Sequence, residues 1–146
     1  MSRLIVQFAR APVEGHVKTR MQPYLSSMQA LKLHESLVRI CAKKLIAGNV
    51  AEVHLWVDGQ PEHPLFLSCL EIGVSSVKIQ CGLSLGEKMF DCLSKSLCEY
   101  RSVLLVGSDC PAIDRWYLLE AFQALESAPL VFGPALDGGY VLIGAR

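Results

Sequence analysis

The chain has 146 residues, 51% of them hydrophobic and 19% charged, the balance of one globular domain spanning residues 1–146 rather than of a disordered segment. Fourteen basic residues offset fourteen acidic ones, and a zero net charge excludes the electrostatic excess that broad binding to nucleic acid or anionic membranes requires. No stretch approaches the roughly 20 apolar residues of a membrane span, and the opening apolar run, Leu4 to Val6 with Phe8, is too short for a secretory signal.

Leu4 to Phe8 predicts a first strand. The segment Ala9 to Pro23 is then a long loop between proline and glycine breaks, with Arg10, Lys18 and Arg20 gathered in it. Loops of this length inside compact domains are more often functional than idle. Gly15 ahead of Lys18-Thr19 hints at a phosphate-binding P-loop, but that motif needs glycine immediately before the lysine, so the P-loop is rejected. Three cations after a first strand suit phosphate oxygens, with arginine as a bidentate fork and lysine as a point charge; a solvated basic loop is an equal reading.

Ser26 or Ser27 caps a helix running to Ala47, with Leu31, His34, Val38, Cys41 and Leu45 as its apolar stripe and Gly48-Asn49 as its stop. His34 on that stripe reads as a packed histidine. Glu52 to Val57 predicts a second strand closed by Asp58-Gly59, residues 60 to 70 a loop with a short helix, and Val77 to Gln80 a third strand. Ser84 and Glu87 have capping-box spacing and open a helix through Glu99, with Leu85, Met89, Leu93 and Leu97 turned inward. The start of that helix is also a ready anion site.

Val103 to Val106 predicts a buried strand. Gly107 then releases the chain, and Asp109 arrives at the strand's carboxyl end with Pro111 stiffening the turn. In open α/β sheets ligands bind at that edge, and hard cations take oxygen ligands there. Read on its own segment, Asp109 is more simply an acceptor of backbone N–H groups in the turn. Asp114 caps a helix from Arg115 to Ser127, with Trp116, Leu119, Phe122 and Ala124 or Leu125 inward. Leu130 to Phe132 is a further strand, and a glycine-rich turn carrying Asp137, Gly138 and Gly139 leads into Val141 to Ile143.

The six cysteines are Cys41, Cys69, Cys81, Cys92, Cys98 and Cys110; they contain no C-x-x-C pair and no zinc spacing. They are expected to be reduced core thiols in the cytoplasm. Cys110 stands apart by lying beside Asp109, but it lacks a resolving cysteine at motif spacing.

Alternating strands and helices predict an α/β fold, a mostly parallel Rossmann-like sheet covered on both faces. Four blocks carry a more specific resemblance: Phe8 to Arg20, Leu85-Gly-Glu-Lys-Met89, Val106-Gly-Ser-Asp-Cys-Pro111 and Gly133 to Gly144. In this order they resemble a bacterial glycosyltransferase-A-like, nucleotide-diphospho-sugar transferase family, formerly of unknown function. It is similar in fold to the guanylyltransferases of molybdenum-cofactor and phospholactate metabolism.

The resemblance implies that Ala9, Arg10, Pro12, Gly15, Lys18, Arg20, Gly86, Lys88, Ser108, Gly138 and Gly139 bind nucleotide or phosphate. It implies Mg²⁺ or Mn²⁺ on Asp109, with Asp137 as second ligand and catalytic carboxylate. The partners implied are a nucleotide-sugar or nucleoside triphosphate and a small acceptor. Nucleotidyl transfer with release of pyrophosphate is the alternative reaction, and a non-catalytic nucleotide-binding domain is the alternative to an enzyme. Lys88 stands where the family commonly has arginine, which keeps the charge and loses the fork. The sequence ends at Arg146, where family members continue. The expectation is therefore a sheet short at its C-terminal side, with an edge that a homodimer would cover.

Overall fold

In the computed structural model of the chain, which describes residues 2–146, strands and helices alternate as the sequence pattern demands. The strands are β1 (Arg3–Arg10), β2 (Glu52–Asp58), β3 (Ser76–Ile79), β4 (Ser102–Val106), β5 (Leu130–Pro134) and β6 (Tyr140–Ala145). The helices are α1 (Ser27–Gly48), α2 (Pro64–Ile72), α3 (Leu85–Leu97) and α4 (Arg115–Ala124), and a short 3-10 turn, Thr19–Met21, lies inside the basic loop.

The sheet order is β3-β2-β1-β4-β6-β5. β1 pairs in parallel with β2 and β4, β2 pairs in parallel with β3, and β6 runs antiparallel to both β4 and β5. From β1 the chain builds outward to β2 and β3, then crosses back to add β4 on the other side. The carboxyl ends of β1 and β4 therefore diverge at a topological switch point, where ligands bind in such sheets. The tip between β5 and β6 opens onto this same edge.

Both sheet faces are covered, so the central strands are apolar on both sides. Ile5, Leu55, Val57, Leu104 and Val106 pack under α1, α2 and α4 together with Val38, Leu45, Phe66 and Phe122. Leu4, Val6, Trp56, Val103 and Leu105 face α3 and pack on Cys92.

The helix starts are capped as their sequences require. Ser26 closes a reciprocal box with Gln29, and the Asp114 carboxylate accepts from Tyr117 N–H. Ser84 accepts from Glu87 N–H, but the Glu87 carboxylate accepts from Leu83 N–H, one residue before the cap.

Two inward stripes differ from the sequence expectation. In α4 the buried positions are Leu118, Ala121 and Phe122, continued by Leu125, while Trp116 is 73% exposed. The Arg115 guanidinium bonds the Gly48 carbonyl at 2.5 Å, and that docking onto the end of α1 sets the rotation of α4. In α3 the deepest residues are Cys92 and Ser96, and Leu85 is exposed.

Candidate functional site

The basic loop is anchored at its two ends and open between them. Ala11 N–H donates to the Asp58 carbonyl at 2.8 Å, extending β1 along β2. Pro12 and Val17 are buried, while Val13 to His16 are exposed. Gly15 takes a φ of +81° with open space where a side chain would go, a conformation that glycine adopts without strain. Lys18 also lies in the left-handed region, at φ 53°.

That backbone geometry carries Lys18 across the switch point. Its ammonium forms an ion pair and hydrogen bond with Asp109 Oδ1, the carboxylate at the end of β4. The Lys18 side chain is 16% exposed and that of Asp109 76%, so the lysine forms the inner wall and the carboxylate faces out. Arg10, the last residue of β1, and Arg20, in the 3-10 turn, are both exposed.

Beneath the loop, His34 is buried on α1 with Nε2 2.8 Å from the Arg10 carbonyl. A carbonyl only accepts, so that ring nitrogen carries the proton. Burial lowers the His34 pKa, the bond to Arg10 opposing part of the effect. The neutral ring therefore pins the start of the loop to α1.

The Asp109 turn rests on an equally defined floor. Cys41, Leu45, Val106, Cys110 and Ile113 line a small cavity below it. Burial pushes the Cys41 thiol up to about 11, so it is a protonated packing group at neutral pH. Ser108 is 7% exposed; its hydroxyl donates to the Phe8 carbonyl at 2.6 Å and accepts from Gln7 Nε2 at 2.9 Å.

Asp137 sits in the tip between β5 and β6, where its Oδ1 accepts from Gly139 N–H at 2.9 Å, and Gly138 takes a φ of +92°. Val106 pairs with Leu142, so the Asp109 turn and the Asp137 tip leave the sheet on adjacent strands. Lys88, in the first turn of α3 after Gly86, bonds Asp58 Oδ2 at the end of β2 at 3.4 Å. It reaches the same edge on the far side of β1 from Asp109.

The structure thus brings Arg10, Gly15, Lys18, Arg20, Gly86, Lys88, Asp109, Asp137, Gly138 and Gly139 to one edge of the sheet. Ala9, Pro12 and Ser108, the remaining residues expected to bind nucleotide, turn their side chains inward and offer that edge their backbone. Ala9 belongs to the core, Pro12 anchors the loop, and the Ser108 hydroxyl is spent on β1. Gln7 and His34 support this edge and were not apparent as such from sequence. The available signal was a polar side chain on the inward parity of a buried element.

The donor set is of the right chemistry for a hard divalent cation, two carboxylates on neighbouring turns. No group of three or more histidine, cysteine or acidic residues among those described could form an all-protein cage.

Known proteins share this architecture. A protein from Desulfovibrio desulfuricans, provisionally assigned as a nucleotide-diphospho-sugar transferase, is 31% identical and superposes with a TM-score of 0.85. The match covers 100% of this chain but 64% of that one, so the sequence spans less than two thirds of its relative's length.

The 4-diphosphocytidyl-2C-methyl-D-erythritol synthase of Anaerococcus prevotii superposes at a TM-score of 0.63 with 10% identity, over 99% of this chain and 71% of that one. A CMP:2-keto-3-deoxy-manno-octonic acid synthetase solved with CTP gives 0.56 with 15% identity, over 90% of this chain and 52% of that one. At these identities the likeness is one of fold alone.

No curated protein matches the sequence, and no helix among the described residues is long and apolar enough to cross a membrane. Residues 41–146, most of the chain, match a single family. The chain belongs to that family, described as uncharacterized protein conserved in bacteria (DUF2064).

Proposed function

We propose that the chain is a metal-dependent transferase acting on a nucleotide-activated donor, with a nucleotide-diphospho-sugar as that donor. The observation that carries this reading is the meeting of Lys18 with Asp109 at the switch point between β1 and β4. A cation-rich loop and a metal-type carboxylate converge there, as a diphosphate bridged to a divalent ion requires. The provisional assignment of the Desulfovibrio desulfuricans relative supports the same class.

The chemistry follows from charge. When the bond from the sugar to the diphosphate breaks, negative charge develops on the leaving phosphate oxygens. Preorganised cations facing that charge stabilise the transition state more than the ground state. Arg10 and Arg20 would bind phosphate oxygens through paired N–H donors, and Lys18 would move from Asp109 to the diphosphate as a point charge. Asp109 and Asp137 would hold Mg²⁺ or Mn²⁺, which supplies charge neutralisation on the leaving group. The N-terminus of α3 would add a partial positive charge at the same edge.

Nucleotidyl transfer is the second reading, favoured by the shared fold of the synthetases. The loop runs Ala9-Arg10-Ala11-Pro12-Val13-Glu14-Gly15 and lacks the glycine-rich G-G-x-G-x-R run that would strengthen it.

A thermal-shift screen separates the readings, using UDP-, GDP-, dTDP- and CDP-sugars and the nucleoside triphosphates with and without Mn²⁺. A ligand at about 100 times its Kd stabilises by about 2.7 kcal/mol. A Mn²⁺-dependent shift with one diphospho-sugar, lost in Asp109→Asn, is the expected result. A shift confined to triphosphates would replace glycosyl with nucleotidyl transfer, and no shift with any ligand would sink both.

A further inference from the structure

Position 7 departs from the chemistry of the core around it. Gln7 lies in the middle of β1, between Ile5 and Ala9 on the same face, and is 0% exposed. Packing there asks for an apolar side chain, since a buried amide is costly unless its polar atoms are bonded. Gln7 Nε2 donates to the Val38 carbonyl on α1 at 3.1 Å and to Ser108 Oγ at 2.9 Å. The Val38 carbonyl can only accept, which fixes the amide's orientation. The other end, Oε1, is buried with no hydrogen-bond partner among the described residues.

An amide with one end unmet is a poor stabiliser, and an apolar residue of similar size would hold the strand as well. What the amide does supply is direction. With Gln7 donating into the Ser108 oxygen, the single hydroxyl proton goes to the Phe8 carbonyl. The Cys41 thiol meets the Ser108 carbonyl at 3.4 Å. Bonds from β1 and α1 thus converge on the residue immediately before Asp109.

We propose that Gln7 is a positioning residue: acting through Ser108, it fixes the direction in which the Asp109 turn leaves β4. Gln7 itself touches neither donor nor cation. The consequence for ligand binding rests on Asp109 being a cation ligand, whereas the mechanical constraint on the turn does not.

The test uses the full chain as wild type, Gln7→Leu, Ser108→Ala and the double variant. Three quantities are read: Tm, amide hydrogen exchange at residues 107–110 without ligand, and Mn²⁺ affinity by EPR with pyrophosphate present. Gln7→Leu should keep or raise Tm, speed exchange at 107–110 by about tenfold, and weaken Mn²⁺ binding by about tenfold. In the Ser108→Ala background it should add less than about twofold to either, because both changes break one linkage.

Unchanged exchange in Gln7→Leu at unchanged Tm overturns the proposal, as does full additivity of the two substitutions. Faster exchange together with a wild type that binds no Mn²⁺ would remove the cation role of Asp109 and leave the positioning role intact. If Gln7→Leu does not fold, Ser108→Ala alone decides: unchanged exchange at 107–110 overturns the proposal, and faster exchange supports it.

Discussion

Lys18 and Asp109 lie 91 residues apart and share one hydrogen bond, so under the proposed function each competes for the other's ligand. A cation at Asp109 must displace the ammonium, and a diphosphate must draw it away. Lys18→Met should therefore move two affinities in opposite directions. Mn²⁺ alone should bind several-fold tighter, because the competing charge is gone. Diphospho-sugar should bind about tenfold more weakly, since a charge-assisted bond to phosphate is worth about 1.5–3 kcal/mol. Calorimetric titration of each ligand checks this, and a fall in both affinities would reduce Lys18 to a structural strut. Lys18 and Asp109 were legible in the sequence because their residue types announce charge next to breaks in the chain. Gln7 and His34 were not. Each lies on the buried face of an apolar run, where a polar side chain reads as a packing compromise until its bonding partner is known.

At the scale of elements, the strand and helix order was legible because each buried run has its own period and its own stop. The insertion of β6 between β4 and β5 was not, because a glycine-rich turn encodes a hairpin without saying which neighbour its second strand will also join. Gly144 records that insertion. Leu104 and Val131 flank it on the two adjoining strands. A Cβ there would lie 2.6 Å from Val131 Cγ1 and 2.7 Å from Leu104 Cδ2. Gly144→Ala should cost about 1–3 kcal/mol by overpacking. It should also loosen the tip that carries Asp137, read as a lower midpoint in urea and faster exchange at residues 135–139. A variant as stable as wild type would mean that the two side chains repack freely.

Over the whole molecule, two buried histidines link stability to pH. His34 and His54 are each 5% exposed, and burial lowers the pKa of both from 6.5. As pH falls past 6.5 the unfolded rings take up protons before the folded ones do. The unfolded state then binds more protons, so stability is fully present above that pH and is lost as pH falls toward the lower folded values. Tm should drop between pH 7 and pH 5, and His54→Gln should flatten the slope; an unchanged slope would exclude His54 as a cause. The position of β6 has another consequence, in time rather than space. During synthesis β1 to β5 emerge first, and until residues 140–145 follow, β4 lacks its second neighbour and β5 has none. Long-range pairing of this kind is slow and leaves strand edges exposed while it waits. The Asp137 tip would then be the last part of the edge to be set in place. Ribosome-bound chains arrested before residue 140 has emerged should remain protease-sensitive, and early protection of β4 would show that the sheet closes without it.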